Sequence, residues 1–402
     1  MLFERFIAQR FMPRTGSGFS GPLSVIAVVG IDLGVVVMVM AVSILRGFQD
    51  DISGKVAGFG SHMTVTSFAP SEAYADTPLP VDSALLEALR SVPGVRHVQC
   101  FATKGGMVKT EEQIYGIIFR GLAEGYDTTF YHDCLVEGQL PAETNDVLIS
   151  STIGNKLGLK VGDKMRTYFW SGDSYRSRAF TVCGIYNTDL AEMDELYVVG
   201  DLRQVQRIEG WGDSLVGGYE ILVDDFDNLD VTARRVDEVL PYDLQMHTIV
   251  EQHPALFSWL DLLNANIALI LTIMCLVSAV AIVSALLIMI FEKSATIGLL
   301  KALGACNASV RRIFMLKAAG LIATGVAIGD GVALTLSLAQ SRWHLLTLDP
   351  ESYSMAYVPV ELSLWVYLAI SLGTAVVCAA ALMLPAAYIS KVSPAKTMRV
   401  EG

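Results

Sequence analysis

Residues 265–317 read ANIALILTIMCLVSAVAIVSALLIMIFEKSATIGLLKALGACNASVRRIFMLK, and this stretch decides the class of the molecule. From Ala265 to Phe291 there is no charged side chain. At 1.5 Å per helical residue that run is about 40 Å long, more than the roughly 30 Å hydrocarbon core of a bilayer. The residues that follow, 292–317, carry Lys293, Lys301, Arg311, Arg312 and Lys317 against one acid, Glu292. A charge-free helix that ends in basic sequence predicts a membrane span whose basic end stays in the cytoplasm.

Three further apolar runs are found on either side of it. Span one covers 22–46 and holds an interior acid, Asp32; span two is 263–291; span three, 318–340, is richer in glycine and alanine and holds Asp330; span four, 362–386, has no charge. Segment 1–21 alternates apolar residues with Arg5, Arg10 and Arg14 and reads as an interfacial amphipathic helix. No small-residue cleavage signature closes span one, so it reads as a retained span rather than a signal peptide. The tail 387–402 carries Lys391, Lys396 and Arg399 against Glu401. Four spans put both basic tails and the basic 292–317 segment on one side, which the positive-inside rule makes cytoplasmic. The large interval 47–262 and the short loop 341–361 then lie outside; residues 51–260 hold 31 acids against 16 bases.

The interval between spans one and two is too long to be a structureless loop. HMTVTSF (62–68), AFTVCGIY (179–186) and YEILVDD (219–225) read as strands, while 81–95 and 228–241 read as helices closed by Pro93 and Pro241. A strand-rich middle flanked by helix–strand pairs predicts an α+β domain, with a single sandwich as the alternative. WSGDSYRSR (170–178) reads as a polar hairpin tip bearing Trp170, Tyr175 and Arg176, either a partner-binding element or only a turn.

Composition bounds the chemistry. With 52% hydrophobic and 17% charged residues over 402, the chain is too apolar for one soluble domain, and its net charge of -12 gives no basic face for nucleic acid. There is no GxxxxGK[ST], HExxH, GxSxG or EF-hand loop, and the six cysteines form no CxxC pair. The chain is therefore expected to be non-catalytic and to bind neither metal nor nucleotide. Gly30 and Gly34 form a small-residue face for close helix packing, within the chain or across a dimer. In the 292–317 segment, Ile297, Leu300 and Leu303 can form an apolar stripe with Lys301 opposite. On composition alone, that segment is either a coupling element or a charged topological anchor.

The pattern E-K-x-x-x-I-G-L-L-K-A-L-G-A at Glu292–Ala305 resembles the coupling segment of the FtsX/MacB superfamily of ABC permeases. FERFIAQRFM (3–12), AVSILRGFQDDISGKVAGFGSHMTV (41–65), YSMAYVPVELS (353–363) and LPAAYISKVSPAKTMRVEG (384–402) resemble stretches of its LolC/LolE group. The phrase EGQLP…NDVLISSTIGNKLGLKVGD, in the large interval, does so too. Ala295 and Thr296 stand where an acid-rich start is often seen, and the 170–178 tip is shorter than the group's chaperone-gripping hook.

The resemblance implies a membrane protein of four transmembrane helices plus a large periplasmic α+β domain of MacB-like type, in a Gram-negative inner membrane. It implies that Glu292, Lys293, Ile297, Gly298, Leu300, Lys301, Leu303 and Gly304 couple to a separate LolD-like ATPase homodimer, which would bind ATP and Mg. It further implies a second permease chain, identical or homologous, and a triacylated lipoprotein substrate in a cavity faced by Val39, Met40 and Val42. A LolA-like periplasmic carrier would be met by Trp170, Tyr175 and Arg176. The rival expectation within the superfamily is a mechanotransmission permease acting on an envelope hydrolase or an efflux partner.

Overall fold

The computed structural model describes residues 20–68, 76–110, 113–171, 174–348, 355, 357–383 and 385. The expected amphipathic segment, up to residue 19, and the tail 387–402 lie outside the described residues. Two compact units divide the chain. One holds Met1–Gln49, Trp259–Leu346 and Val358–Gly402; the other holds Asp50–Ser258 and Thr347–Tyr357.

The first unit is built from long apolar helices, of which residues 50–60 of the first and 254–258 of the second count with the second unit. They run Ser20–Gly60, Pro254–Glu292, Asn307–Trp343 and Leu364–Ala381, and all four are long and apolar enough to cross a membrane. Lipid tails are as apolar as leucine, so close backbone approach rather than hydrophobicity must hold such helices together. Two glycine notches provide it. A Cβ added at Gly30 would stand 3.0 Å from Ala281 Cβ, and one at Gly34 would overlap Ser278 Oγ, so this face of span one receives span two. On span three, a Cβ at Gly325 or Gly329 would stand 2.9 Å from Ile31 Cβ or Val35 Cβ. Span one is thus clasped from both sides within one chain, and Gly30 and Gly34 are spent on a contact in cis.

Polar contacts add to this packing. Tyr367 OH on span four donates to Ser337 Oγ on span three at 2.9 Å, and Ser337 Oγ donates to Met40 Sδ on span one at 3.3 Å. Ser371 Oγ lies 2.7 Å from both carboxylate oxygens of Asp330, tying span four to span three. Asp32 differs: its Oδ1 is buried and has no hydrogen-bond partner among the described residues.

The second unit is an α+β domain of twelve described strands: β1 (Met63–Ser67), β2 (Leu79–Pro80), β3 (Val95–Lys109), β4 (Ile114–Leu122), β5 (Leu135–Gly138), β6 (Asp146–Ser150), β7 (Lys164–Ser171), β8 (Ser174–Tyr186), β9 (Tyr197–Asp201), β10 (Leu215–Val216), β11 (Gly218–Val223) and β12 (Leu244–Thr248). The main order is β12-β1-β11-β3-β4-β9-β6-β8-β5, and β7 pairs with both β3 and β8. That double pairing closes β3, β4, β9, β6, β8 and β7 into a six-stranded ring. The fifteen-residue β3 joins the two parts: Val95–Phe101 ladders with β11, and Phe101–Lys109 with β4. Phe119, Phe169 and Phe180 fill the ring, with centroids 5.0–6.2 Å apart and each at most 1% exposed. Burying each such ring is worth about 1.5–3 kcal/mol. Glycine makes the room: a Cβ at Gly106 would lie 2.7 Å from the Phe169 ring, and one at Gly200 2.6 Å from the Phe119 ring. The helices of this domain are capped by local chemistry, as where Asp82 Oδ1 accepts the Ala84 N–H and Thr248 forms a reciprocal box with Glu251.

One charged cluster holds the C-terminal end of the first long helix inside this domain. Arg120 on β4 pairs with Glu220 on β11, both buried, and donates to the Gly60 carbonyl at 3.4 Å. Its guanidinium lies over the rings of Phe59 and Phe101 at 5.3 and 5.4 Å. Tyr126 OH and Gln99 Nε2 donate to Glu220 at 2.6 and 3.2 Å, and Tyr131 OH donates to the Phe59 carbonyl at 3.2 Å. Burial disfavours the Arg120 cation, but Glu220, Tyr126 and Tyr131 together outweigh that and hold its pKa above the ordinary value.

Candidate functional site

The segment between spans two and three is a short helix, Ser294–Ala302, set off from span two at Lys293. Its end is built by LGA. Gly304 has φ +95°, a left-handed backbone that favours glycine, so the Gly304 N–H bonds Lys301 O at 3.1 Å and the Ala305 N–H bonds Leu300 O at 2.9 Å. This Schellman closure turns the chain sharply into the helix beginning at Asn307.

The eight residues expected to couple divide into two sets. Ile297 and Gly298 are buried, and Ile297 and Leu300 line a small apolar cavity with Met289, Val310, Ile313 and Phe314, edged by Lys293 and Lys317. They fix the helix to its own spans. Glu292 and Lys293 pair with each other at 3.3 Å. Leu303 stands apart from Ile297 and Leu300 of the expected apolar stripe: it is 77% exposed, beside Leu299 at 56%. Positions 299 and 303 are one helical turn apart, so the outward apolar pair is Leu299 and Leu303, with Gly304 also exposed and Lys301 half-buried. A short helix whose inner side is seated and whose outer side presents two leucines can carry a push from a partner into two long helices.

The residues expected to line a cavity, Val39, Met40 and Val42, lie on span one. Val39 is fully buried in the apolar core shared by the spans. Met40 is half-buried, with its sulfur accepting from Ser337, and Val42 is half-buried too. Val39 and Met40 therefore pack against this chain's own helices. Val25, Ile26, Val29 and Leu33 are the large exposed apolar residues of span one.

At the hairpin, the ladder of β7 and β8 continues out to Ser171 opposite Ser174, so the expected nine-residue tip is mostly strand. Residues 172 and 173 lie outside the described residues. Trp170 and Tyr175 are cross-strand partners with centroids 4.7 Å apart, edge to face, and both are exposed. Arg176 is not part of this pair. It sits one register step back, and its Nη1 donates to the Arg207 carbonyl at 3.1 Å, in the last turn of the helix Leu202–Glu209. The aromatic pair is the projecting feature.

Sequence reading did not single out Arg120, Glu220, Gly325 or Gly329. An acid inside the strand YEILV and an arginine inside IIFRGL were the available signals, since a charge in a buried strand requires a partner. All six cysteines are free thiols.

Long apolar helices joined by a seated short helix, with a large α+β domain inserted between the first two, define a multi-pass permease with an extramembrane domain. Residues 24–239 match the family described as MacB-like periplasmic core domain, and residues 245–394 match FtsX-like permease C-terminal. The chain belongs to the MacB-like periplasmic core domain family. It is 25% identical to the lipoprotein-releasing system transmembrane protein LolC of Xylella fastidiosa, covering 96% of this chain and 95% of that one. The LolC of Neisseria meningitidis serogroup B is 24% identical over 99% of both chains. The LolE of Haemophilus influenzae is 22% identical over 92% of both.

Proposed function

We propose that this chain is the permease subunit of an ATP-driven complex that extracts outer-membrane-directed lipoproteins from the inner membrane and passes them to a periplasmic carrier. The single observation that carries this reading is the near-full-length similarity to LolC and LolE proteins, which takes in the large domain, the spans and the short helix together. The basic 292–317 segment supports cytoplasmic placement of the short helix and both termini.

In this account a LolD-like ATPase homodimer, holding ATP and Mg, docks against Leu299 and Leu303. The chain pairs with a second permease, and the triacylated lipoprotein enters beside the exposed side of span one. Trp170 and Tyr175 meet a LolA-like carrier. Energy input is required because each buried acyl CH₂ contributes about 0.8 kcal/mol to anchorage, so a triacylated anchor does not leave unaided. Depleting the chain in its native host and fractionating the membranes tests the reading. Acylated lipoproteins should accumulate in the inner membrane, and unchanged sorting contradicts it.

A further inference from the structure

At the end of span three the helix stops at Trp343, and His344 turns the chain with φ +46°. The backbone then runs through Leu345 and Leu346; at the far side of the loop, Val358 leads back toward span four, which begins at Leu364. Five large apolar side chains stand open at this elbow: Trp343, Leu345, Leu346, Leu364 and Trp365, between 57% and 80% exposed. Leu338 and Leu368 of the two spans are exposed as well.

The backbone of the elbow is irregular, yet the N–H and C=O groups of both Leu346 and Val358 are paired internally. Gln340, 4% exposed, donates through Nε2 to Leu346 O at 3.2 Å and Val358 O at 3.0 Å. Its Oε1 accepts the Leu346 N–H at 2.9 Å, and the Val358 N–H bonds Leu346 O at 3.1 Å. In water such a loop needs no buried amide to satisfy it, because solvent does so. At membrane depth, where unpaired N–H and C=O groups cost several kcal/mol each, irregular backbone is tolerated only when satisfied in this way. The helix Leu364–Ala381 is about 27 Å long, close to the thickness of the hydrocarbon core, and Trp365 stands in its first turn, where an interfacial tryptophan is favoured.

From these two observations, open apolar side chains and the internal pairing of the Leu346 and Val358 backbone, we infer that the elbow is seated in the lipid, with Leu345 and Leu346 inserted at the boundary between headgroups and acyl chains. Its partner is the bilayer surface, and Gln340 is the positioning residue that allows non-helical chain to lie there. The inference rests on the spans crossing a membrane and not on lipoprotein release, so either can fail without the other.

The test uses the full-length chain in phospholipid nanodiscs, with tryptophan fluorescence as the depth gauge. One variant keeps only Trp365, a second carries L345W with all five native tryptophans changed to Phe, and a reference keeps only Trp170 on the large domain. Lipids brominated near the top of their acyl chains should quench the Trp365-only and L345W proteins several-fold more than the reference, while aqueous iodide should quench the reference most. Adding Gln340→Leu to L345W should reverse its preference toward iodide. Iodide quenching of L345W equal to the reference would put the elbow in water and overturn the inference. Protection from both quenchers would mean that protein covers the surface, and that overturns it as well. A Trp343-only variant replaces L345W if the latter does not fold.

Discussion

Removing the Arg120 side chain alone, as Arg120→Leu, strands the Glu220 carboxylate in a buried site, and breaking one side of such a pair costs about 3–5 kcal/mol. Tyr126 and Gln99 still donate to Glu220, which favours the lower half of that range. Loss of the guanidinium contacts with Phe59 and Phe101 adds about 1 kcal/mol. The sum, about 4 kcal/mol, is a large share of the 5–15 kcal/mol that holds a typical domain together. For a domain near 200 residues it lowers the melting temperature by roughly 8–16 °C. The double variant Arg120→Leu/Glu220→Leu leaves no charge behind but loses the ring contacts, the Gly60 bond and the acceptor of the buried Tyr126 and Gln99 donors, about 3–5 kcal/mol in all. Thermal unfolding of the full-length protein, with hydrogen exchange read at β4 and β11, gives all four corners of the cycle. The double variant should cost clearly less than Arg120→Leu and Glu220→Leu added together. A double variant as unstable as the two single changes added together would show that the pair is not one unit and refute the reasoning.

Gly34→Val pushes a side chain into Ser278 and should destabilise the membrane bundle by about 1–3 kcal/mol, read as lost thermal stability in detergent. Gly320→Ala, where an added Cβ meets nothing within 4 Å, is the matched control and should not destabilise it. His62 accepts the Val223 N–H, and burial, aided by Arg96, lowers its pKa to about 4. Its contribution, on the order of 2 kcal/mol, is therefore present above pH 6.5 and lost as pH falls toward 4. Asp194, raised to about 6 by burial, works in the opposite direction, so the difference between wild type and His62→Gln across pH 4–7 isolates the histidine. A difference that does not change with pH would contradict its assignment. Cys306 is exposed and its thiol is made more acidic by Ser309, whereas burial raises Cys100 and Cys134 to about 11. An impermeant maleimide should therefore label Cys306 first in inside-out vesicles and leave it unlabelled in spheroplasts; the opposite pattern reverses the proposed topology.

The spans were legible because an uncharged run such as 265–291 is a one-dimensional signal, and Gly30 and Gly34 were legible because small residues four apart mark one helix face. Which face of span one looks inward was not legible. Val39 and Leu33 are equally apolar, and a helix among lipids and helices needs no polar side to reveal its orientation. Gly325 and Gly329 were hidden by their surroundings, since span three is glycine-rich throughout. In the large domain, strands such as 62–68 and 179–186 showed in their alternation and β-branched content. The closure through β7 did not, because pairing Met107 with Tyr168 joins residues remote in sequence. In the short helix, the sequence left Leu303 and Leu300 equivalent. The turn at Gly304 and the cavity beneath Ile297 are what separate the leucine that anchors from the one that faces outward.

The most direct test of the central claim is reconstitution. The chain, with its permease partner and ATPase, is placed in proteoliposomes holding a triacylated lipoprotein, and the lipoprotein appearing on a soluble carrier is measured with and without ATP. The account predicts release that requires ATP and is abolished by Leu299→Asp/Leu303→Asp, with the complex's lipoprotein still bound in the membrane. Transfer that proceeds equally without ATP, or ATP turnover with no lipoprotein leaving the bilayer, would contradict it.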